Sequence, residues 1–131
     1  MPKQKSKPVV EESNSIAIRT KMGFDIVKST NIIRCEASRA YCTFYLVDGE
    51  RITVSKSLSF FEAKLLEWNF YRVHKSNLVN IHHIEKYNRE KSSLVLSDNS
   101  EVILSHRKKR ELIERLTFSS VSPKQHSRIA V

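Results

Sequence analysis

Glycine is almost missing from this chain, with only Gly23 and Gly49 among 131 residues. A glycine-rich loop that cradles phosphates is therefore excluded, and no pairing of a nucleophile with a base stands out. We predict that the chain is not an enzyme and needs no cofactor. Cysteine is equally rare, and Cys35 and Cys42 lack CxxC spacing, so no disulfide framework is expected. Both lie in apolar stretches, which favours buried thiols in a reducing cytoplasm.

Long apolar runs are missing as well. No stretch approaches the ~20 apolar residues of a membrane-spanning helix. The first residues, MPKQKSKPVVEE, include no apolar run of signal-peptide length. These absences predict a soluble cytoplasmic protein that does not bind a membrane.

Acidic residues are in deficit, because 14 Asp and Glu face 23 Lys and Arg, for a net charge of +9. This imbalance predicts a polyanionic partner, with nucleic acid favoured over an anionic membrane surface. A basic protein that is merely soluble is the alternative. The carboxylates are scattered, so the acidic metal cluster of a nuclease is not expected.

The patterning predicts one domain at 15–118 between flexible tails at 1–14 and 119–131. Apolar alternation with period two predicts short early strands at Ile16/Ile18, Phe24/Ile26, Ile32/Ile33, Cys42/Phe44/Leu46 and Ile52/Val54. Later strands are predicted at Phe70 to His74, Val79 to Tyr87, Leu94 to Leu96 and Val102 to Leu104. Turns are predicted at Gly23, Asp48-Gly49 and Asp98-Asn99. The class is mainly β.

Two short helices complete the pattern. Leu58, Phe61 and Leu65 share a helical face, and Ser59 with Glu62 fits a capping box. A last helix is predicted from about His106 to Phe118, with Leu112, Ile113 and Leu116 as its apolar stripe and Ser105 as its N-cap.

The start of the last helix is unusually basic, because His106 to Arg110 are five consecutive basic residues. The N-terminus of a helix is the positive end of its dipole, where cations are disfavoured. Such a cluster makes sense if an external anion, such as a phosphate, docks there. A solvated charged face is the alternative.

The stretch FYRVHKSNLVN, residues 70–80, places hydrogen-bond donors within the most apolar part of the chain. On a strand, Phe70, Arg72 and His74 share one face, while Tyr71 and Val73 share the other. A rigid polar tip at the strand end would suit the reading of base edges. Alternatively, His74 and Asn77 bond the local backbone at a turn.

A metal site at His82, His83 and Glu85 is not expected, because the two histidines would point to opposite faces of a strand. Trp68 and Phe60 are interpreted as packing residues, not as platforms for base stacking.

The string FYRVHKSNLVNIHHIEKY resembles the signature of the LytTR family of bacterial DNA-binding domains. NIIRCEASRAYCTFYLVDGE, SKSL and VILSHRKKREL resemble further family segments in the same order. The resemblance covers Ile16 to about Leu116. It implies stacked small antiparallel β-sheets that read double-stranded DNA, typically promoter repeats, with loops. By this resemblance the candidate DNA-contacting residues are Arg39, Tyr41, His74, Lys75, Ser76, Asn77, Ser105, His106, Arg107, Lys108 and Lys109.

The resemblance has departures and leaves alternatives open. Lys75 and His106 stand where the family usually has arginine, so the preferred DNA site is expected to differ. Family members usually carry a receiver domain, so the chain is either a standalone regulator or the output domain of a two-component response regulator. A homodimer on DNA is left open. An RNA-binding β-domain and a basic membrane- or protein-interaction module are the rival functions.

Overall fold

Strands are the main secondary structure of the described residues, as the apolar alternation predicts. The computed structural model describes residues 14–120, and the remaining parts of both predicted tails lie outside this range. The early strands are β1 (Ser15–Thr20), β2 (Gly23–Lys28), β3 (Ile32–Ser38), β4 (Tyr41–Leu46) and β5 (Arg51–Val54). The later strands are β6 (Phe70–His74), β7 (Asn77–Asn80), β8 (Ile84–Asn88), β9 (Ser93–Leu96) and β10 (Glu101–Ile103). The helices are α1 (Leu58–Leu65) and α2 (Lys109–Ser120).

The strands form three antiparallel sheets. The largest has the order β5-β4-β3-β7-β6, and two smaller sheets have the orders β1-β2 and β10-β9-β8. The prediction of a mainly β fold with small antiparallel sheets and two short helices is confirmed. In the described residues, no helix is long and apolar enough to cross a membrane.

The five-stranded sheet has a hydrophobic core on each face. Successive side chains of a strand point to opposite faces, so Phe70 packs with α1 and the β1-β2 sheet. Tyr71 and Val73 pack instead with β9, β10 and α2. Cys35 and Cys42 are free and buried in the first core, as expected, and burial raises the pKa of the Cys35 thiol.

The predicted strand from Val79 to Tyr87 is wrong, because two strands of different sheets occupy that stretch. A 3₁₀ turn at Ile81–His83 separates β7 from β8. Asn80 starts this turn, since its side-chain oxygen accepts a hydrogen bond from the His82 amide at 3.0 Å. A local side-chain bond of this kind competes with the strand ladder and redirects the chain.

The predicted capping box of the first helix is also wrong. The N-cap of α1 is Ser57, whose hydroxyl accepts a hydrogen bond from the Phe60 amide at 3.2 Å. Glu62 is therefore not needed at the helix start, and its carboxylate forms an ion pair with Arg72 on β6. The three predicted turns are confirmed, with Gly23, Gly49 and Asn99 in left-handed backbone conformations.

The side chain of Asn80, at the end of β7, connects the five-stranded sheet to the turn before β3 by hydrogen bonds. It is almost completely buried, and its amide nitrogen donates to the Ser29 and Ile32 carbonyls at 3.3 and 3.0 Å. Its loss would leave these buried carbonyls without this donor, at a cost of 1–3 kcal/mol per group typically.

We predict that Asn80→Ala lowers the free energy of unfolding by about 2–4 kcal/mol. Denaturant titration measures the loss, and Asn31→Ala serves as the control, because Asn31 is exposed. The control should change the free energy by less than about 0.5 kcal/mol. A loss for Asn80→Ala as small as that of the control would contradict the role of this side chain.

Candidate nucleic-acid interface

Three segments that the sequence predicts to contact DNA, residues 39–41, 74–77 and 105–109, meet at one end of the five-stranded sheet. The last of these, 105–109, is called the basic segment. β3 ends and β4 begins at the same end, because Ser38 pairs with Tyr41 across a two-residue turn. β6 ends and β7 begins there as well, because His74 pairs with Asn77. Antiparallel pairing of β3 with β7 places these two hairpins side by side.

Two backbone hydrogen bonds join the segments to one another. The Ala37 amide on β3 donates to the Ser76 carbonyl at 2.9 Å. The Ser105 amide, at the start of the basic segment, donates to the Val73 carbonyl on β6 at 2.7 Å. The relative positions of all three segments are therefore set by the main chain and do not depend on surface side chains.

A β-bulge makes the second of these bonds available. Arg72 pairs with Leu78 and His74 with Asn77, so Val73 is an extra residue on β6 without a partner on β7. A bulged residue leaves the regular ladder. The Val73 side chain is fully buried in the second core, while its carbonyl bonds the basic segment.

Arg72 fixes the conformation of the turn that follows β6. Its guanidinium donates to the Lys75 carbonyl from Nε at 3.3 Å and from Nη2 at 2.6 Å. The remaining nitrogen, Nη1, bonds the Glu62 carboxylate on α1 at 2.6 Å. These contacts use the planar fork of arginine, which lysine lacks. The Lys75 side chain is thereby left exposed at the turn.

His74 bonds the turn next to it, as one of the two interpretations of this stretch predicts. The Ser76 amide donates to His74 Nδ1 at 3.2 Å, and the Ser76 hydroxyl lies 3.0 Å from the same atom. Because Nδ1 accepts, the neutral imidazole carries its proton on Nε2. His74 thus keeps one donor for a ligand while its ring is held by the local backbone.

Asn77 faces the protein interior. It is 8% exposed, and its side-chain oxygen accepts a hydrogen bond from Arg34 Nη1 at 2.8 Å. The Arg34 guanidinium also lies over the Tyr45 ring, at 4.0 Å from the centroid, and pairs with Glu36 at 3.3 Å. This arrangement indicates that Asn77 orients the start of β7. Its contact with DNA stays a prediction.

The basic segment begins with a 3₁₀ turn at His106–Lys108, and α2 follows only at Lys109. Ser105 stands at the cap position of this turn, but its hydroxyl forms no capping bond, so its predicted capping role is wrong. Its carbonyl accepts a hydrogen bond from the Lys108 amide at 3.0 Å. His106 and Arg107 are exposed, whereas Lys108 and Lys109 are half-buried.

Tyr71 on β6 contacts the basic segment from the protein interior. Its hydroxyl donates to the Glu111 carboxylate at 3.1 Å, and the Lys108 carbonyl lies 3.4 Å from the same hydroxyl oxygen. The Lys108 ammonium lies 5.3 Å from the centre of the Tyr71 ring. Burial, followed by the bond to Glu111 and the charge of Glu111, raises the pKa of Tyr71 to about 12.

A cleft of about 450 Å³ lies between the turn after β6 and the basic segment. Its lining residues are Glu62, Arg72, His74, Lys75, Ser105, Arg107 and Lys108. The Glu62 carboxylate is paired with Arg72, so the cations of Lys75, Arg107 and Lys108 are not neutralised by it. The cleft can therefore bind an anionic group such as a phosphate.

The hairpin turn between β3 and β4 presents the third segment. Arg39 is exposed in a left-handed conformation, with φ of 56°. This conformation costs a residue with a side chain roughly 1–2 kcal/mol. Tyr41 follows the turn and is 52% exposed. The turn thus holds one cation and one aromatic ring in solvent, at the sheet end that also carries Lys75.

Residues 24–117 match the family model of the LytTr DNA-binding domain. The chain belongs to this family. The sequence resemblance is thereby confirmed, and the matched range contains all three segments described above. The matched model describes a DNA-binding domain.

A solved structure supports the fold of this LytTr domain. The LytTr DNA-binding domain of a Bacillus cereus protein, described as a methyl-accepting/DNA response regulator, superposes with a TM-score of 0.65. The two chains are 23% identical, and the alignment covers 79% of this chain and 98% of the other. At that identity the likeness shows the fold alone. No curated protein gives a significant match.

The histidines after β7 have structural partners in the LytTr domain. His83 Nδ1 lies 2.7 Å from the Ser97 hydroxyl, and His83 Nε2 lies 3.0 Å from the Thr30 carbonyl. His82 Nε2 lies 3.1 Å from the Asn69 amide. Across residues 14–120, no group of three metal-ligating side chains comes together.

Arg72→Lys tests whether the turn after β6 must be fixed for the LytTr domain to discriminate among DNA sequences. Lysine keeps the charge but cannot bond both the Lys75 carbonyl and Glu62. We predict a roughly 5–10-fold smaller ratio of affinities for a selected and a scrambled DNA, or about 1.0–1.4 kcal/mol, the net contribution of one hydrogen bond. Arg89→Lys, at an exposed position remote from the cleft in the sequence, should leave the ratio unchanged. Equal weakening on both DNAs would contradict a positioning role.

The raised pKa of Tyr71 predicts a pH dependence of stability. Between pH 10 and 12 the folded protein keeps the Tyr71 proton, which the unfolded chain has released at its ordinary pKa of 10.0. The stabilisation is therefore complete below pH 10 and is lost as the pH rises towards 12. The difference in unfolding free energy between the natural protein and Tyr71→Phe should shrink across this range. A constant difference would contradict the assignment, and Tyr41→Phe is the exposed control.

Proposed function

We propose that this LytTr domain is a sequence-specific regulator of transcription that binds double-stranded DNA. The observation that carries the proposal is the pair of backbone hydrogen bonds that fixes three exposed polar segments at one end of the sheet. Exposed cations stand on each segment, at Arg39, Lys75 and Arg107. Charge alone supplies binding without sequence preference, whereas donors held in fixed positions can discriminate among base edges.

The domain reads DNA with turns and strand ends in this proposal. Arg107 contacts a base edge, because it is exposed and its guanidinium can bind guanine through two hydrogen bonds. Lys109 stands two residues later and is turned by about 200–240° around the helix axis. It is half-buried and more suited to a phosphate. The net charge of +9 supplies the salt-dependent part of the affinity.

The wider setting follows from the same proposal. Residues 15–118 form the DNA-binding unit, which acts in the cytoplasm. It binds promoter repeats as a homodimer on DNA. It does so either alone or attached to a receiver domain. α2 extends to Ser120, two residues past the proposed end of the unit. Lys75 contacts guanine less specifically than arginine would, so the preferred sequence differs from that of relatives with arginine there.

Arg107→Ala and Lys109→Ala are predicted to impair DNA binding in different ways. A preferred site is first selected from a random pool of double-stranded DNA. Arg107→Ala should relax the preference at one or two positions and lower discrimination by ~1–3 kcal/mol. Lys109→Ala should weaken binding to all sequences alike and reduce the slope of log affinity against log salt by about one.

Both variants are measured on the selected site and on a scrambled duplex across salt concentrations. Equal losses on both DNAs for Arg107→Ala would contradict its base-reading role. Failure to enrich any duplex sequence would contradict the proposed function itself. Single-stranded RNA and anionic vesicles serve as the alternative ligands, and tighter binding to either would favour the corresponding rival function.

A further inference from the structure

The outer face of the β1-β2 sheet is apolar and exposed. Ile16 and Ile18 on β1 point inward and are buried. On the opposite face and in the turn, Phe24, Ile26 and Met22 are 60%, 68% and 92% exposed. A solvated sheet face normally carries polar side chains. A cluster of large apolar residues at the surface indicates an interaction site.

A cleft of about 550 Å³ continues this face towards α1. Phe24 from the hairpin and Phe60 from α1 both line it, and Phe60 is 58% exposed. The cleft is separate from the one lined by Arg107, but Tyr41, a candidate DNA-contacting residue, also lines it. The whole of the hairpin's first strand, β1, also lies outside the matched family range, which starts at residue 24.

The rim of the cleft is positively charged. Arg19 lies over the Phe24 ring, 5.3 Å from its centroid, and Lys56 lies over the Phe60 ring at 4.7 Å. Lys21 is a third cation in the lining. Of the described residues that line the cleft, none is acidic. The surface is thus apolar and cationic at once, and its charges lack acidic partners within the lining.

This combination selects among classes of ligand. A DNA duplex presents phosphates to a protein surface, so it would not contact the apolar residues of this cleft favourably. Single-stranded nucleic acid stacks its bases on aromatic rings, but Arg19 and Lys56 already lie over these two rings. A second copy of the chain would bring an identical cationic rim against the first. An acidic peptide with large apolar side chains satisfies both properties.

We propose that this cleft, between the β1-β2 hairpin and α1, binds an acidic amphipathic segment of a partner protein. Apolar side chains of the segment pack between Phe24 and Phe60. Its carboxylates pair with Arg19, Lys21 and Lys56. The LytTr domain would then bind DNA and a partner protein at adjacent surfaces that share Tyr41.

The test is selection of peptides from a random library displayed on phage, with the full chain as the target. We predict enrichment of peptides that combine Asp or Glu with Leu, Phe or Trp. The double variant Phe24→Ser, Phe60→Ser should bind the enriched peptide at least about tenfold more weakly, as expected for the loss of aromatic contacts. Arg107→Ala should bind it as the natural chain does. Thermal unfolding confirms that each variant is folded.

Four results would overturn the proposal. The first is enrichment of peptides without apolar residues, since charge alone would then explain the binding. The second is unchanged binding to the double variant. The third is an absence of peptide binding. The fourth is a Phe24-dependent binding of single-stranded oligonucleotides or anionic vesicles that exceeds the binding of any peptide. None of these measurements uses duplex DNA, so failure here leaves the proposed function standing.

Discussion

The hydrogen bond from the Ser105 amide to the Val73 carbonyl determines where the basic segment lies. It exists because a bulge on β6 takes Val73 out of the ladder with β7. The side chain of Val73 is meanwhile buried in the second core, so slippage of the bulge would expose an apolar residue. Core packing and the placement of the cations are therefore set by the same residue.

Polar side chains in this domain divide into two groups. One group is half-buried or buried and bonds within the protein, as Arg72 does with the Lys75 carbonyl and Asn77 with Arg34. Exposed ones, such as Lys75 and Arg107, stand on segments that others have fixed. This division reduces the conformational entropy that is lost on binding, because the backbone that carries each cation is already ordered. It also explains the many donors in the apolar stretch at residues 70–80.

The sequence predicted the strands, turns and helices that depend on local apolar patterns. It failed where one polar side chain overrides such a pattern, as Asn80 does by breaking the predicted strand from Val79 to Tyr87. It also missed Arg72 and Arg34 as positioning residues. Arg34 reaches Asn77 only because β3 pairs with β7. Arg72 reaches Glu62 only because α1 packs on the five-stranded sheet. The sequence indicated which segments to consider for the candidate interface. No local sequence pattern indicates that backbone hydrogen bonds join these segments.

The most direct test of a single interface built from three segments is NMR mapping of the domain with its selected DNA. The account predicts that amides at 38–41, 74–76 and 105–109 shift together and saturate at the same DNA concentration. Amides of the β1-β2 hairpin should move little. Shifts confined to the basic segment, with 38–41 and 74–76 unaffected, would contradict the account.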